Sequence, residues 1–265
     1  MRKSIDFYKF DGAGNDFVIV DARQNGLELS SEEIARICHR RFGVGADGLM
    51  ALHEGGTGSD FEMRYYNSDG CSAAMCGNGA RCIAVFAYLL GIGNGSKELR
   101  FAAQDGMHHA EIVGWDADCR RGTVCVGMKA VSKSEMRPLL DGVRLDTGVP
   151  HYVQWVRALD GFDVVGEGRR LRRHPLFDPA GANINFVERQ GDGSLHVRTY
   201  ERGVEDETWS CGTGVTACAL VSGTRRIRTA GGEFCVDYVE TDSGYSDIRL
   251  TGPVSLNFIG TISIP

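Results

Sequence analysis

Two stretches of this chain repeat one another. Residues 75–82 read MCGNGARC and residues 210–218 read SCGTGVTAC, so a Cys-Gly-x-Gly cluster occurs twice, each time running into a small, apolar, helix-like segment. Cys76 to Cys211, Gly77 to Gly212, Gly79 to Gly214, Phe17 to Tyr152 and Val18 to Val153 are each 135 residues apart, while Gly14 to Gly148 and Tyr66 to Tyr200 are 134. One such cluster is an ordinary turn after a cysteine. An offset kept to within one residue from Gly14 to Gly79 is a duplication. The 265 residues are therefore two similar halves of about 130, too few copies for a solenoid. Each half must build much the same fold, which predicts two domains about a pseudo-twofold axis with one Cys-Gly-x-Gly turn from each at a cleft.

Local patterns fill in each half. Residues 5–21 read as two short strands around a glycine-rich turn, and Ser30 with Glu33 forms a capping box ahead of Ile34, Ile37 and Cys38 at helical spacing. Phe61, Met63 and Tyr65 alternate with Glu62 and Arg64 as in a strand, and NSDG at 67–70 is a turn. From Ala80 the chain is apolar on every side of a helix, through Ile83, Val85, Phe86, Leu89 and Leu90, until Gly91 stops it. Such a helix must be enclosed, and with so many strand-like segments nearby the simplest enclosure is a sheet wrapped around it. The second half repeats the plan with an alternating strand at 195–200 and an apolar helix at 214–223.

Composition excludes several classes. A net charge of −6 argues against a nucleic-acid or polyanion binder, which needs excess Lys and Arg. The one basic run, Arg169 to Arg173, reads as a solvated loop or edge. The N-terminus has no apolar core of a secretory signal, and the longest apolar run, Cys82 to Leu90, is about half of what a membrane span requires. Nine cysteines, an odd number in a chain too long to need a disulfide scaffold, read as reduced thiols of a cytoplasmic protein. Zinc ligation by Cys71, Cys76 and Cys82 lacks any C-x2-C pair.

The chemistry follows from where the two cysteines sit. At a strand-to-helix turn the exposed N–H groups favour a thiolate, and the following glycines let the backbone approach and receive an anion. One feature thus activates a sulfur and holds a carboxylate beside it. Two such features facing each other put one sulfur on each side of a single carbon, which suits inversion of a stereocentre by a base on one face and an acid on the other. The N–H donors stabilise charge that spreads into the carboxylate. Either cysteine alone would more simply be a buried structural thiol; the matched pair points to catalysis.

At this point the sequence resembles the diaminopimelate epimerases, which work without pyridoxal phosphate. The resemblance covers almost the whole chain and is carried by GAGNDF at 12–17, GVGADG at 43–48, YYNSDG at 65–70, MCGNGARC at 75–82, GVPHYV at 148–153, GANINF at 181–186, YERGVEDETWSCGTG at 200–214 and TGP at 251–253. It implies an α+β fold of two pseudo-symmetric domains, each a mixed β-sheet or barrel wrapped around a central α-helix, with the active site in the interdomain cleft. The bounds expected are 1–127 plus 258–265 for the domain carrying Cys76, and 128–257 for the domain carrying Cys211. By position, Cys76 and Cys211 match the acid/base pair. Gly77, Asn78, Gly212 and Thr213 match the turns that hold the reacting carboxylate. Asn15, Asn67, Asn183, Glu201 and Arg202 match residues around the substrate, mainly its distal amino-acid end, where Arg suits a carboxylate and Glu an ammonium. His151 and Glu201 match residues that tune the thiols.

The resemblance further implies a small amino-acid substrate, no metal or organic cofactor, and a homodimer. Two positions depart from the pattern: Val149 stands where many members have Asn, and Gly48 where some have Gln. Asn78 also stands where the related proline racemases have His. The rival activities are a proline or hydroxyproline racemase, a thiol–disulfide protein using Cys76 and Cys211, and a non-catalytic amino-acid-binding module. Arg202 and Glu201 argue against the first, since a cyclic monocarboxylate has no second amino-acid end to bind.

Overall fold

The computed structural model describes residues 3–23, 27–73, 76–177 and 181–264. The chain divides into two compact units, Met1–Val126 with Pro253–Pro265, and Gly127–Gly252. The return to the first unit thus starts at Pro253, upstream of 258, because β18 (Gly244–Ile264) is one continuous strand that already pairs with β1 (Lys3–Gly12) at Ser255.

In the first unit β1 and β2 (Asn15–Asp21) form the hairpin expected around the glycine turn. Helix α1 (Ser31–Cys38) then crosses to β3 (Gly48–Glu54), parallel to β2. Its capping box is present, with the Ser30 N–H donating to Glu33 at 2.8 Å and the Glu33 N–H to Ser30 Oγ at 3.2 Å. Ile34, Ile37 and Cys38 are the side that it buries. β4 (Phe61–Asn67) runs antiparallel to β3, and β5 (Ser72–Ala73) antiparallel to β4. Helix α2 (Gly77–Leu89) follows, then β6 (Glu98–Ala103), β7 (Gly106–Asp116) and β8 (Arg121–Gly127), with β6 parallel to β4 and antiparallel to β7.

The second unit begins with β9 (Val131–Ser132) and β10 (Arg137–Leu139) and then repeats the scheme. β11 (Gly142–Asp146) and β12 (Pro150–Trp155) are antiparallel, α3 (Val164–Arg172) crosses to a parallel β13 (Asn183–Arg189), and β14 (Leu195–Glu201) returns antiparallel. β15 (Asp206–Thr208), α4 (Gly212–Ser222), β16 (Arg226–Thr229) and β17 (Gly232–Glu240) follow, with β16 parallel to β14. The same order and sense of pairing in both units is the duplication seen in the residues.

Each unit encloses one helix. Every residue from Gly77 to Ala87 is buried, and α2 packs on β1, β2, β3 and β7; α4 packs on β11, β12, β13, β14, β16 and β17. Burial of Ile83, Val85 and Phe86 in α2 contributes roughly 1.5–3 kcal/mol each. Both helices start earlier than apolar pattern indicates, at Gly77 and Gly212 rather than at Ala80 and Gly214. Glycine is a poor helix former, so sequence places it outside; packing overrides that preference. Arg169 and Arg170 also lie in a helix, the last turn of α3, where positive charge meets the negative end of the helix dipole, rather than in a loop or edge. No helix among the described residues is long and apolar enough to cross a membrane.

Candidate active site

Cys76 and Cys211 are the N-cap residues of α2 and α4, with nearly matching extended backbones (φ −105°, ψ 123° and φ −125°, ψ 111°), and neither side chain caps its helix. The first-turn N–H groups of an α-helix have no partner within the helix and carry its positive end. Gly77, Asn78, Gly212 and Thr213 lie in those first turns.

Around Cys76, Asn15 at the start of β2 turns its Oδ1 to within 3.7 Å of Sγ, and Asn78 Nδ2 donates to the same Oδ1 at 3.4 Å. The amide is oriented from behind, where Asn15 Nδ2 donates to Asp47 at 2.7 Å. Arg40 donates to both Asp47 and Asp16 at 2.7 Å, and Lys9 also bonds Asp16. Burial raises the Asp16 pKa, but the bonds from Arg40 and Lys9 outweigh it and hold it at about 2. Arg81, wholly buried one turn into α2, donates to the Gly77 carbonyl at 3.3 Å and to Asn78 Oδ1 at 3.0 Å. Asn67 ends β4 in the expected turn, the Gly70 N–H donating to its carbonyl at 2.9 Å, and is exposed.

Around Cys211, Thr213 Oγ1 lies 3.5 Å from Sγ and 2.9 Å from His151 Nε2. Asn185 Nδ2 reaches His151 Nδ1 at 3.2 Å, and the Thr199 hydroxyl donates to Asn185 Oδ1 at 3.0 Å. Asn183 Oδ1 accepts from the Arg202 N–H at 2.8 Å, which fixes the turn after β14, while Glu201 accepts from the Thr208 hydroxyl at 3.0 Å. The structure thus joins His151, Thr213 and Cys211 in one bonded cluster, with Asn183, bonded to the Arg202 N–H, beside the imidazole.

Sequence reasoning assigned no role to Arg81, Asp47, Asn185 or Thr199. Strand alternation offered a signal for two of them, since Asn185 shares a face with Asn183, and Thr199 with Glu201. Of the departing positions, Gly48 has no room for a side chain: an added Cβ would lie 2.6 Å from the Tyr65 ring and from the Tyr66 carbonyl.

His151 is fully buried, and that burial, helped by the Arg202 charge, drives its pKa down to about 3. The unfolded chain therefore binds a proton below about pH 6.5 that the folded chain refuses. Stability from this group is complete above pH 6.5 and is lost as pH falls toward 3. Between pH 6.5 and 5 the loss is about 2 kcal/mol, and His53, also lowered by burial, acts in the same direction. Urea titrations at the two pH values should show it, and His151→Asn should flatten most of the difference. An unchanged slope in that variant would mean that other groups carry it.

All nine cysteines are thiols in the structure, and among the described residues no cluster of His, Cys, Asp and Glu is arranged to hold a metal.

The model of one protein family, described as diaminopimelate epimerase, matches residues 7–126 and 143–251. A diaminopimelate epimerase of Flavobacterium psychrophilum is 42% identical over 264 residues, covering 96% of this chain and 99% of its own. That of Aquifex aeolicus is 39% identical and covers 98% of both. Among solved structures, a PhzF-family phenazine biosynthesis protein of Bacillus anthracis shares the fold with a TM-score of 0.70 at 16% identity, covering 99% of each chain. A hydroxyproline epimerase of Agrobacterium vitis with bound trans-4-hydroxy-L-proline gives 0.66 at 15%, covering 98% of this chain and 91% of its own. At such identities these two structures speak to the fold, α+β with strands around a central helix.

Proposed function

The chain belongs to the diaminopimelate epimerase family, and on that premise we infer that it is an isomerase interconverting LL- and meso-2,6-diaminoheptanedioate for lysine and peptidoglycan precursor synthesis. The observation that carries the mechanism is the pair of cysteines at equivalent helix N-caps. One sulfur, as thiolate, removes the α-proton; the other, as thiol, delivers a proton to the opposite face. Turnover leaves the protonation pattern swapped, ready for the reverse reaction. Charge that moves from the α-carbon into the carboxylate is met by the N–H groups of Gly77, Asn78, Gly212 and Thr213. Asn15, Asn67, Asn183, Glu201 and Arg202 hold the remainder of the substrate, the guanidinium of Arg202 taking the distal carboxylate and Glu201 the ammonium. His151 and Glu201 set the polarity beside the sulfurs. This reading calls for no organic cofactor, since the substrate carboxylate and the N–H groups at the two helix ends take up the charge left on the α-carbon.

The family resemblance extends this reading to a homodimer in the cytoplasm that does not bind nucleic acid.

The test is a coupled assay on LL-diaminoheptanedioate with the thiols kept reduced. Conversion to the meso isomer is expected, with none of trans-4-hydroxy-L-proline. Turnover of hydroxyproline instead, or binding of diaminoheptanedioate with no inversion, would overturn the assignment, as would activity tied to a Cys76–Cys211 dithiol potential. In light scattering the same preparation should give twice the 28.8 kDa chain mass; a monomer would refute the dimer.

A further inference from the structure

The two units carry different residues in the seat beneath their catalytic helices. In the first unit Met50 pairs across the strands with Ile19 and Tyr65; in the second, Asn185 pairs with Val153 and Thr199. The seat is tight in both. A Cβ added at Gly79 would meet Met50 Cε, and one at Gly214 would meet Asn185 Oδ1 at 2.5 Å. An apolar thioether against α2 thus corresponds to a buried amide against α4.

That amide has a fixed orientation. Asn185 Nδ2 lies 3.0 Å from the Tyr152 carbonyl, which only an N–H can satisfy, and its Oδ1 takes the Thr199 hydroxyl at 3.0 Å. Its second N–H has two acceptors in reach, His151 Nδ1 at 3.2 Å and the Asn183 carbonyl at 3.5 Å, and the shorter contact is the one to His151. A nitrogen that accepts carries no proton, so the neutral imidazole must carry its proton on Nε2. Nε2–H then donates to Thr213 Oγ1 at 2.9 Å, and that hydroxyl has its own proton left for Cys211 Sγ at 3.5 Å. Asn183 Nδ2, 3.5 Å from Nε2, is too distant to compete with the bond at 2.9 Å.

We propose that Thr199, Asn185, His151 and Thr213 form a one-way hydrogen-bond relay ending on Cys211, in which Asn185 and Thr199 are positioning residues that lock the histidine tautomer and thereby favour the Cys211 thiolate. Each member donates toward the sulfur, so the chain stabilises negative charge there without any cation. The imidazole stays neutral across the working range, because burial holds its pKa near 3. The charged or titratable groups around the relay are Arg202, beside His151, Glu201 at the end of β14, and Cys218 farther along α4, whose thiol burial keeps protonated. The proposal rests on Cys211 being one of the two acid/base thiols, but its first readout does not.

That readout is the 15N spectrum of the imidazole in the full chain. His151 should show a protonated Nε2 and a bare Nδ1. Asn185→Asp, which once ionised can only accept at that position, should then move the proton to Nδ1, so that the Thr213 hydroxyl turns to the histidine and leaves the sulfur. In the pH profile of kcat/KM the limb belonging to Cys211 should then rise by about one unit. Thr199→Val should raise it by less, and Thr199→Ser, which keeps the hydroxyl, should leave it in place. A proton on Nδ1 in the unaltered protein overturns the relay, whether or not any variant folds. So does an Asn185→Asp protein that keeps the proton on Nε2, or a Thr199→Ser protein as impaired as Thr199→Val. If the tautomer is as stated yet diaminoheptanedioate is not turned over, the functional assignment fails and the relay stands.

Discussion

Alanine at Cys76 or at Cys211 is expected to lower inversion of LL- and of meso-diaminoheptanedioate by about 10³-fold or more, because each sulfur serves one face of the carbon. The two variants should fail alike, although their surroundings differ. Cys76 is half-buried beside Asn15, whereas Cys211 is 7% exposed beside Thr213. Neither change disturbs a cap, since neither side chain caps its helix. Tm should therefore move little, and loss of activity can be assigned to chemistry. Either variant retaining a rate within tenfold of the unaltered chain would show that its sulfur is not a required acid or base.

The next largest effect is expected from Arg81→Met, a change that roughly preserves volume and removes the charge and all donors. A wholly buried guanidinium costs several kcal/mol to desolvate, so its retention in the first turns of α2 requires a strong electrostatic return. Two groups depend on it directly, the Gly77 carbonyl and Asn78 Oδ1. Losing both charge-assisted bonds costs roughly 1.5–3 kcal/mol each and frees the Asn78 amide from its position over Asn15. The charge itself lies near Cys82, Cys76 and Asp11. Burial keeps the Cys82 thiol protonated, so of the two thiols only Cys76 changes charge during turnover. Turnover should fall by about tenfold to a hundredfold, the Cys76 limb of the pH profile should move upward, and the unfolding midpoint should drop. Arg81→Lys should not restore it, because one ammonium cannot reproduce the fork that spans both acceptors. In the second unit Thr216 takes the matching position and gives the Gly212 carbonyl a neutral hydroxyl donor at 3.0 Å. Thr216→Val should consequently be the milder change. An Arg81→Met protein with an unaltered rate and profile would rule out the electrostatic role.

Arg81 and Thr216 also illustrate what could be read from the chain. Their helices were legible because an apolar segment that repeats at a fixed offset has few ways to be buried, and the strand alternation of 61–65 and 195–200 fixed which faces turn inward. The capping box at Ser30 and the stop at Gly91 are local chemistry and appear where the residues place them. The beginnings of α2 and α4 were hidden because Gly-x-Gly disfavours a helix until tertiary packing encloses it.

What the sequence alone determined is the duplication and the matched positions of the two cysteines within it, since residue type and spacing are enough to state these. What only tertiary structure decided is how the two centres differ. A guanidinium behind one helix, and an amide, a threonine and a locked imidazole beneath the other, are set by burial and by strand pairings such as Met50 with Tyr65 and Asn185 with Thr199. The strength of a hydrogen bond or a charge depends on the dielectric and the partners around it, and residues far apart in the chain supply both.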